Sequence, residues 1–191
     1  MNAAKHTDPD DHIRAIHDLA QRYAVATADA AQPDLYQPLT FLLAQVRNQL
    51  SMDVAFVSRF LDNKRLFEVV SVQGEAMPGL APGESDPLLD TYCQRIVDGR
   101  LPRVIPDTSQ NQDASQLAVT QSLRIKAYLS APVLLSSGAV FGTVCCISHK
   151  TRFDLREADA KALQAVADAV ARSVDLRLGK LRYVSFAAGS S

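Results

Sequence analysis

The sequence predicts an α+β protein whose largely antiparallel sheet is flanked by helices. Two pairs of apolar segments, within residues 53–72 and 126–148, are each divided by turn residues, at 62–64 and 136–138. This pattern is typical of β-hairpins. Apolar residues at helical spacing predict helices at both ends of the chain. Because strands joined by hairpins pair in antiparallel fashion, we expect the sheet to be largely antiparallel.

Composition predicts one folded domain with helical extensions. The chain has 191 residues, of which 47% are apolar and 21% charged, so it can build a core. The formal net charge is −1, and no basic excess favours nucleic acid or an anionic membrane as a partner. Cys93, Cys145 and Cys146 lack the spacing of a disulfide framework, which favours a reducing, cytoplasmic compartment.

One uncharged stretch has the length of a membrane span. Residues 127–148 contain 22 residues without a charge. Pro132 and the turn at 136–138 interrupt the stretch, and β-branched residues crowd its second half. We therefore interpret it as a buried hairpin and expect no membrane segment. The polar N-terminus lacks the apolar region of a signal peptide.

The individual elements follow from periodicity and from turn signals. Apolar residues at three- and four-residue steps predict helices, and short runs between polar breaks predict strands. Asp154 and Glu157 fit a capping box at the start of the last helix. The predicted order is helix 9–30, linker 31–37, helix 38–51, strands 53–61 and 65–72, loop 73–85, helix 86–98, strand 103–105, loop 107–113, helix 114–123, hairpin 126–148 and helix 154–182.

These elements divide the chain into three parts. An N-terminal helical extension and linker occupies residues 1–37, a central domain with a long C-terminal helix occupies 38–182, and a flexible tail occupies 183–191, with fraying expected from Ala187. We expect the terminal helices to cover one face of the sheet and the middle segment, residues 74–124, to cover the other. Since this segment is rich in loops, it could leave a cavity against the sheet.

The order of elements and several stretches of sequence resemble the GAF domain family of small-molecule sensors. The resemblance covers residues 38–176. It implies a GAF/PAS-like sheet of five or six strands with a terminal helical bundle on one face and a pocket segment on the other. It also implies a regulatory sensor of bacterial-type signal transduction, without catalysis of its own. The matching stretches are MDVAFVSRF, LLDTYCQRIVDGRLP, RVIPDT, AYLSAPV with AVFGTVCCIS, and TRFDLREADAKAL.

The resemblance also implies a ligand pocket between the sheet and the middle segment. Strand alternation puts one set of side chains on the pocket face, whereas Val144 and Cys146 take the opposite face. Each implied residue has a structural alternative, because inward strand residues are commonly core and an Asp before a turn commonly caps it. The implied ligand-binding residues are Phe56, Ser58, Tyr92, Cys93, Asp107, Tyr128, Ser130, Thr143, Cys145 and Ile147.

The residues on which the specialised chemistries of the family depend are largely absent from this sequence. Covalent bilin attachment uses a Cys before the fourth strand, where AVTQSLRIKAY has none, and the four His residues are poorly placed to hold haem. No His, Cys and Asp residues have the spacing of a metal site. The cyclic-nucleotide signature is retained only at Lys150 and Phe153. We therefore expect no bilin, haem or metal, and a small-molecule ligand of unknown identity.

Two alternative functions stay open. The family includes free methionine-(R)-sulfoxide reductases, and Cys93 lies near the position of their resolving Cys. Their catalytic Cys has no counterpart in the segment DTSQNQDASQLA. The other alternative is a dimerisation module with a closed core and no ligand. A disulfide between adjacent Cys145 and Cys146 is disfavoured, because successive strand residues point to opposite faces.

The expected partners are a second copy of the chain, the small molecule and a downstream signalling protein. Residues 13–27 and 163–181 carry apolar stripes that are too extensive for isolated, exposed helices. We therefore expect a homodimer that forms through the terminal helices. Neither nucleic acid nor a membrane is expected as a partner.

Overall fold

The structure is a computed structural model that describes residues 10–28, 36–75 and 77–188. Two 3₁₀ turns, Leu88–Asp90 and Thr108–Gln110, lie between the regular elements. The helices are α1 (Asp11–Ala28), α2 (Tyr36–Gln49), α3 (Tyr92–Val97), α4 (Gln112–Ser115), α5 (Ala118–Ser122) and α6 (Glu157–Ala188), and the strands are β1 (Val54–Leu61), β2 (Lys64–Val72), β3 (Ser85–Pro87), β4 (Val104–Ile105), β5 (Ala127–Leu134) and β6 (Val140–Ser148).

The six strands form one antiparallel sheet in the order β3-β2-β1-β6-β5-β4. This arrangement confirms the predicted α+β architecture. β1 and β6 lie at the centre, where Phe56 is opposite Cys145 and Ser58 is opposite Thr143. Because side chains alternate between the faces, the central strands contribute to two separate cores, one on each side of the sheet.

The helices α1, α2 and α6 cover one face, which we call the helical face. α1 packs along α6, so that Ile16 and Val170 belong to the same buried cluster. The Tyr23 hydroxyl lies 3.2 Å from the Ser173 hydroxyl across the two helices. The apolar stripes from which a dimer was expected are thus largely buried within one protomer. The homodimer stays a prediction, but these stripes no longer require it.

The segment between β2 and β5 covers the other face, which we call the pocket face. It consists of β3, α3, β4, α4, α5 and their connections. Its core is richer in aromatic residues than the helical face. Phe56, Phe67, Tyr92 and Tyr128 are all fully buried there.

A β-bulge in β2 changes the face to which its side chains point. Val57 pairs with Val69, but the next residue, Ser58, pairs with Phe67. The extra residue reverses the alternation at this point. Phe67 and Arg65 therefore lie on the pocket face, whereas Val69 belongs to the helical core.

The predicted helix at 86–98 is wrong in its first half. There the chain forms β3, which pairs with β2, and then a 3₁₀ turn. Pro87 disfavours helical backbone at the preceding Asp86. Helix α3 begins only after Thr91, whose side-chain oxygen accepts a 3.3 Å hydrogen bond from the Gln94 N–H.

The start of α6 also differs from the prediction. The helix begins at Glu157, because Asp159 accepts a 2.7 Å hydrogen bond from the backbone N–H of Arg156. Asp154, which was expected to be the cap, instead pairs with Arg152 at 2.6 Å.

Several predicted boundaries shift or lie outside the described residues. The predicted helix at 114–123 is divided into α4 and α5. α6 extends to Ala188, beyond the predicted end of the helix at 182. The first nine residues, most of the predicted linker and the last three residues of the tail lie outside the described residues.

Candidate functional site

A cavity of about 590 Å³ lies on the pocket face, between the outer edge of the sheet and the helices α3 and α5. Part of its lining comes from the loop after β2, and part from β3 and its 3₁₀ turn. Most of its rim residues are exposed, so the cavity opens to solvent. Its lining consists of Arg65, Pro78, Gly79, Asp86, Pro87, Asp90, Thr91, Ala118, Val119, Ser122 and Leu123.

The cavity has the predicted location but not the predicted lining. It lies between the sheet and the middle segment, as the sequence implied. None of the ten predicted ligand-binding residues lines it. Nine of them form a close-packed layer behind it, between the cavity and the centre of the sheet, and these nine are Phe56, Ser58, Tyr92, Cys93, Tyr128, Ser130, Thr143, Cys145 and Ile147.

The predicted strand register is confirmed. Tyr128, Cys145 and Ile147 belong to the buried cluster of the pocket face. Val144 and Cys146 belong to the cluster under the helices. Strand alternation thus assigned these side chains to the correct faces.

Asp107 is the predicted residue that the structure does not bring to this layer. It precedes the 3₁₀ turn after β4, and its carboxylate accepts hydrogen bonds from the Ser109 N–H at 2.9 Å and from the Ser109 hydroxyl at 2.7 Å. These hydrogen bonds lower the pKa of Asp107 below its ordinary value. The residue caps a turn, which is the alternative that its sequence context allowed.

Hydroxyl and thiol groups meet in the middle of the buried layer. The hydroxyls of Ser58 and Thr143 are 2.9 Å apart across β1 and β6. The sulfur atoms of Cys93 and Cys145 are 3.8 Å apart. Ser130 places its hydroxyl 3.3 Å from the Cys145 sulfur. Every one of these groups is fully buried, and each has a hydrogen-bonding partner.

Two stacked tyrosines connect this layer to the middle segment. The rings of Tyr92 and Tyr128 are nearly parallel, with their centres 4.3 Å apart. The Tyr128 hydroxyl lies 3.5 Å from the Cys93 sulfur. The Tyr92 hydroxyl points the other way, to the Thr120 hydroxyl at 2.6 Å and the Ala114 carbonyl oxygen at 3.2 Å. Tyr92 therefore fixes α3 relative to α4 and α5.

Arg65 joins the buried layer to the cavity, and sequence reasoning missed it. Its side chain is only 3% exposed, yet it lines the cavity. The guanidinium carbon lies 4.3 Å from the centre of the Phe67 ring. Nη2 forms an ion pair with Asp86, and Nη1 lies 3.9 Å from the Cys93 sulfur. Among the described residues, no hydrogen-bond acceptor reaches the buried Nε.

The sequence carries only an ambiguous signal for Arg65. Arg65 shares strand parity with Phe67 and also with Val69. Because of the bulge these two residues lie on opposite faces, so parity alone does not assign Arg65 to the pocket face. The ends of strands are also commonly polar, so a charged residue directly after a turn does not by itself indicate a buried side chain.

The charge of Arg65 alters the acidity of the neighbouring thiols. Burial opposes ionisation of Cys93, but the hydrogen bond from Cys145 and the charge of Arg65 outweigh it, so that the pKa of Cys93 lies well below its ordinary value. Burial and the hydrogen bond with Cys93 raise the pKa of Cys145 well above its ordinary value. Burial likewise raises the pKa of Tyr128. The two cysteines thus differ in proton affinity, with Cys93 as the more acidic.

Two further observations bear on cofactors and membranes. Within the part of the chain that the structure describes, no group of three or more His, Cys, Asp or Glu side chains is arranged to hold a metal ion. Over the same residues, no helix is both long and apolar enough to cross a membrane.

Comparison with known proteins agrees with this fold. The sequence model of the GAF domain matches residues 34–174, which is most of the chain. The chain belongs to the GAF domain family. No curated protein matches its sequence.

Solved structures of GAF domains superpose on most of the chain. A phycoerythrobilin-bound GAF domain from a cyanobacterial phytochrome has a TM-score of 0.70 at 17% identity, over 85% of this chain and 96% of that one. The GAF domain of an Acinetobacter phosphoenolpyruvate-protein phosphotransferase has a TM-score of 0.63 at 15% identity, over 82% and 90%. A free methionine-R-sulfoxide reductase from Neisseria meningitidis, in complex with its substrate, has a TM-score of 0.67 at 15% identity, over 94% and 99%. At these identities the likeness establishes the fold alone.

Proposed function

We propose that this GAF domain is a regulatory sensor that binds a small molecule in the cavity of the pocket face and has no catalysis of its own. The observation that carries the proposal is the cavity itself. Its volume of about 590 Å³ lies within the range of about 300–1,000 Å³ that is usual for small-molecule sites. It combines apolar surface from Val119 and Leu123 with a few polar groups, as such sites commonly do.

Arg65 is the proposed polar anchor of the ligand. Its Nε donor is buried and lacks an acceptor among the described residues, and an unpaired buried donor costs free energy. A ligand oxygen that accepts from this group would remove that cost. Asp86 and Asp90 also line the cavity, so a ligand that carries donor groups beside its acceptor fits the lining best.

The proposed signal passes from the cavity wall to the sheet. A ligand between α5 and Arg65 would move α3 and α5 relative to β2. Tyr92, which forms a hydrogen bond with Thr120 of α5 and stacks on Tyr128 of β5, would carry this displacement to the sheet. The helices of the opposite face would then change position, and a downstream signalling protein would respond. A cytoplasmic location and the absence of a resident cofactor are part of the same proposal.

We also retain the homodimer as part of the proposal, with a different contact surface. Since the stripes of α1 and α6 are buried in the protomer, the dimer would use their outward faces, where Val25, Leu176 and Leu178 are exposed. Leu178→Asp would then lower the dimer affinity measured by sedimentation, while Val170→Asp would unfold the protomer because Val170 is buried. A wild type that stays monomeric at micromolar concentration would contradict the dimer.

A thermal-shift screen with a small-metabolite library tests the ligand site. Ser122→Trp introduces an indole ring into the cavity from α5, and Gln121→Trp introduces the same ring one position earlier, outside the lining. Both residues are exposed, so neither change disturbs the core. We expect compounds that stabilise the wild type and the Gln121→Trp variant but not the Ser122→Trp variant.

Two outcomes would contradict the proposal. If no compound stabilises the wild type, or if Ser122→Trp retains every thermal shift, the cavity is not a ligand site. A dimerisation module without a ligand is then the better interpretation. If the wild type consumes free methionine sulfoxide at the expense of a thiol reductant, the protein is an enzyme. The lack of a Cys between the 3₁₀ turn at Thr108–Gln110 and α5 disfavours that second outcome.

A further inference from the structure

Two cysteines that are distant in sequence are in contact on the pocket face. Cys93 lies on α3 and Cys145 on β6, and their sulfur atoms are 3.8 Å apart. Sulfur atoms in van der Waals contact need only a small side-chain rotation or helix displacement to reach the length of a disulfide bond. Cys146, the third cysteine, points to the helical face and belongs to the other core. The fold therefore pairs two specific thiols and separates the third.

The surroundings of the pair differ from those of an ordinary buried cysteine. Most buried cysteines lie among apolar groups and stay inert. Here the Arg65 guanidinium lies 3.9 Å from the Cys93 sulfur and the Tyr128 hydroxyl lies 3.5 Å from it. The hydroxyls of Ser130 and Thr143 lie 3.3 Å and 3.1 Å from the Cys145 sulfur. The Ser58 hydroxyl also lies 3.9 Å from the Cys93 sulfur, so one cation and four hydroxyl groups surround the two thiols.

This environment divides the roles of the two thiols. The positive charge and the hydrogen bonds hold the pKa of Cys93 well below its ordinary value, although burial acts in the opposite direction. Cys145 keeps its proton, because burial and the neighbouring Cys93 raise its pKa. A thiolate is the nucleophile in oxidation reactions. Cys93 is therefore suited to react first, and Cys145 to react with the product.

We propose that Cys93 and Cys145 are a redox pair that hydrogen peroxide converts into an intramolecular disulfide, with Arg65 assisting by its charge. The Cys93 thiolate attacks a peroxide oxygen, the O–O bond breaks, and a sulfenic acid forms while hydroxide takes up a proton and leaves as water. The Cys145 sulfur then attacks the Cys93 sulfur, the S–O bond breaks, and a second water leaves with the Cys145 proton. In total, two thiols lose two electrons and two protons, and one peroxide becomes two waters.

The proposed route of the oxidant starts at the cavity. Both sulfurs are fully buried, but Arg65 lines the cavity and touches Cys93 at the same time. A peroxide molecule is close to water in size and can approach beside the guanidinium. The proposal goes beyond ligand binding, because it requires only this approach and not an occupied site.

The disulfide would attach the middle segment to the sheet. Cys93 and Cys145 are 52 positions apart, and the chain between them contains β4, α4, α5 and β5. Closing a loop of this length restricts the unfolded chain. We therefore expect the oxidised protein to melt about 5–10 °C above the reduced protein.

Mass mapping of the full-length wild type tests the proposal. The reduced protein is treated with a small excess of hydrogen peroxide, remaining thiols are alkylated under denaturing conditions, and the peptides are identified. We expect a loss of about 2 Da, which corresponds to two hydrogens, and a cross-linked peptide pair containing Cys93 and Cys145. A stable sulfinic acid at Cys93, a link to Cys146, a link between two chains, or unreactive thiols in the folded protein would each overturn the proposal.

Variants separate the redox pair from a general effect on folding. Cys146→Ala is the matched control, because this cysteine has the same burial on the opposite face. It should keep both the cross-link and the rise in melting temperature, whereas Cys93→Ser and Cys145→Ser should lose both. Circular dichroism establishes that each variant is folded before oxidation. A cross-link that survives in either serine variant would overturn the assignment.

The role of Arg65 has a separate readout. Arg65→Gln removes the charge and should slow the oxidation of Cys93 at neutral pH by about tenfold or more, because less thiolate is present. Arg65→Lys keeps the charge and should slow it less. The comparison is made as an oxidation rate against pH, where Arg65→Gln should displace the profile towards higher pH. An unchanged profile would overturn the assistance by Arg65.

Discussion

The two faces of the sheet are built from different chemistry. Under the helices the core is mainly aliphatic, and Cys146 is its one buried thiol among the described residues. Its buried hydroxyl and carboxyl groups include Ser173 and Asp159 of α6. On the pocket face the same central strands present Ser58, Thr143, Cys145 and a nearby buried Arg65. Buried polar groups lower stability unless they are well paired. We infer that the helical face contributes most of the stability, whereas the polar groups of the pocket face serve the proposed ligand binding and thiol oxidation.

The largest expected loss of stability concerns Gly142 of β6, a central strand that contributes side chains to both faces of the sheet. β6 approaches β1 so closely at Gly142 that an added Cβ would lie 1.9 Å from the backbone oxygen of Ser58. Because the obstacle is backbone, it cannot rotate away. We expect Gly142→Ala to lower the free energy of unfolding by about 4 kcal/mol or more, measured by urea denaturation.

A second glycine provides the control for this change. Gly179 lies in α6, and an added Cβ there has no atom within 4 Å. Gly179→Ala should therefore stabilise the protein by about 0.5–1 kcal/mol through the lower entropy of the unfolded chain. If Gly142→Ala is as stable as the wild type, the β1–β6 spacing described above is incorrect.

The next prediction compares the two faces directly. Val144 is fully buried under the helices, and Val144→Ala should cost about 2 kcal/mol because it leaves a cavity in a dry core. Tyr128→Phe removes one hydroxyl, which lies 3.5 Å from the Cys93 sulfur on the pocket face, and should cost about 1 kcal/mol. Urea denaturation of both variants measures the difference. A larger loss in Tyr128→Phe would contradict the assignment of stability to the helical face.

The sequence allowed much of this comparison to be predicted. Alternation along β1, β5 and β6 depends only on strand geometry, so Tyr128 and Val144 could be assigned to opposite faces without a structure. Alternation does not reveal whether the space beyond a side chain is filled. Tyr92 and Tyr128 stack against one another and fill the centre of the pocket face. The cavity therefore lies further out, beside Arg65 and the loop after β2.

The features that the sequence did not predict have a common physical cause, because each depends on tertiary contacts. Residues 85–87 form a strand because β2 offers them a pairing edge and Arg65 pairs with Asp86, neither of which is visible in a local helical pattern. The bulge in β2 decides that Arg65 faces inward, and a bulge has no strong sequence signal at that point. The contact between Cys93 and Cys145 likewise depends on how α3 lies on the sheet.

The last expected effect is a difference in pH dependence between the two faces. Burial in the apolar core raises the pKa of Cys146 to about 12. Above about pH 8.5 an unfolded chain loses this proton while the folded protein retains it. The folded state is therefore disfavoured as the pH rises, by about 1 kcal/mol per pH unit. Cys146→Ala should remove that slope.

Cys93 should show the opposite dependence. Its folded pKa lies well below its ordinary value, because the hydrogen bond from Cys145 and the charge of Arg65 outweigh the effect of burial. Between the folded pKa and about pH 8.5 the unfolded chain binds the proton and the folded protein does not, so this thiolate stabilises the fold increasingly as the pH rises. Cys93→Ser should lose this increase in stability with pH.

The two slopes are obtained by subtracting each variant's free energy of unfolding from that of the wild type across pH 6–11. Slopes of the same sign would mean that the two thiols lie in equivalent surroundings, and the distinction between the faces would then be wrong.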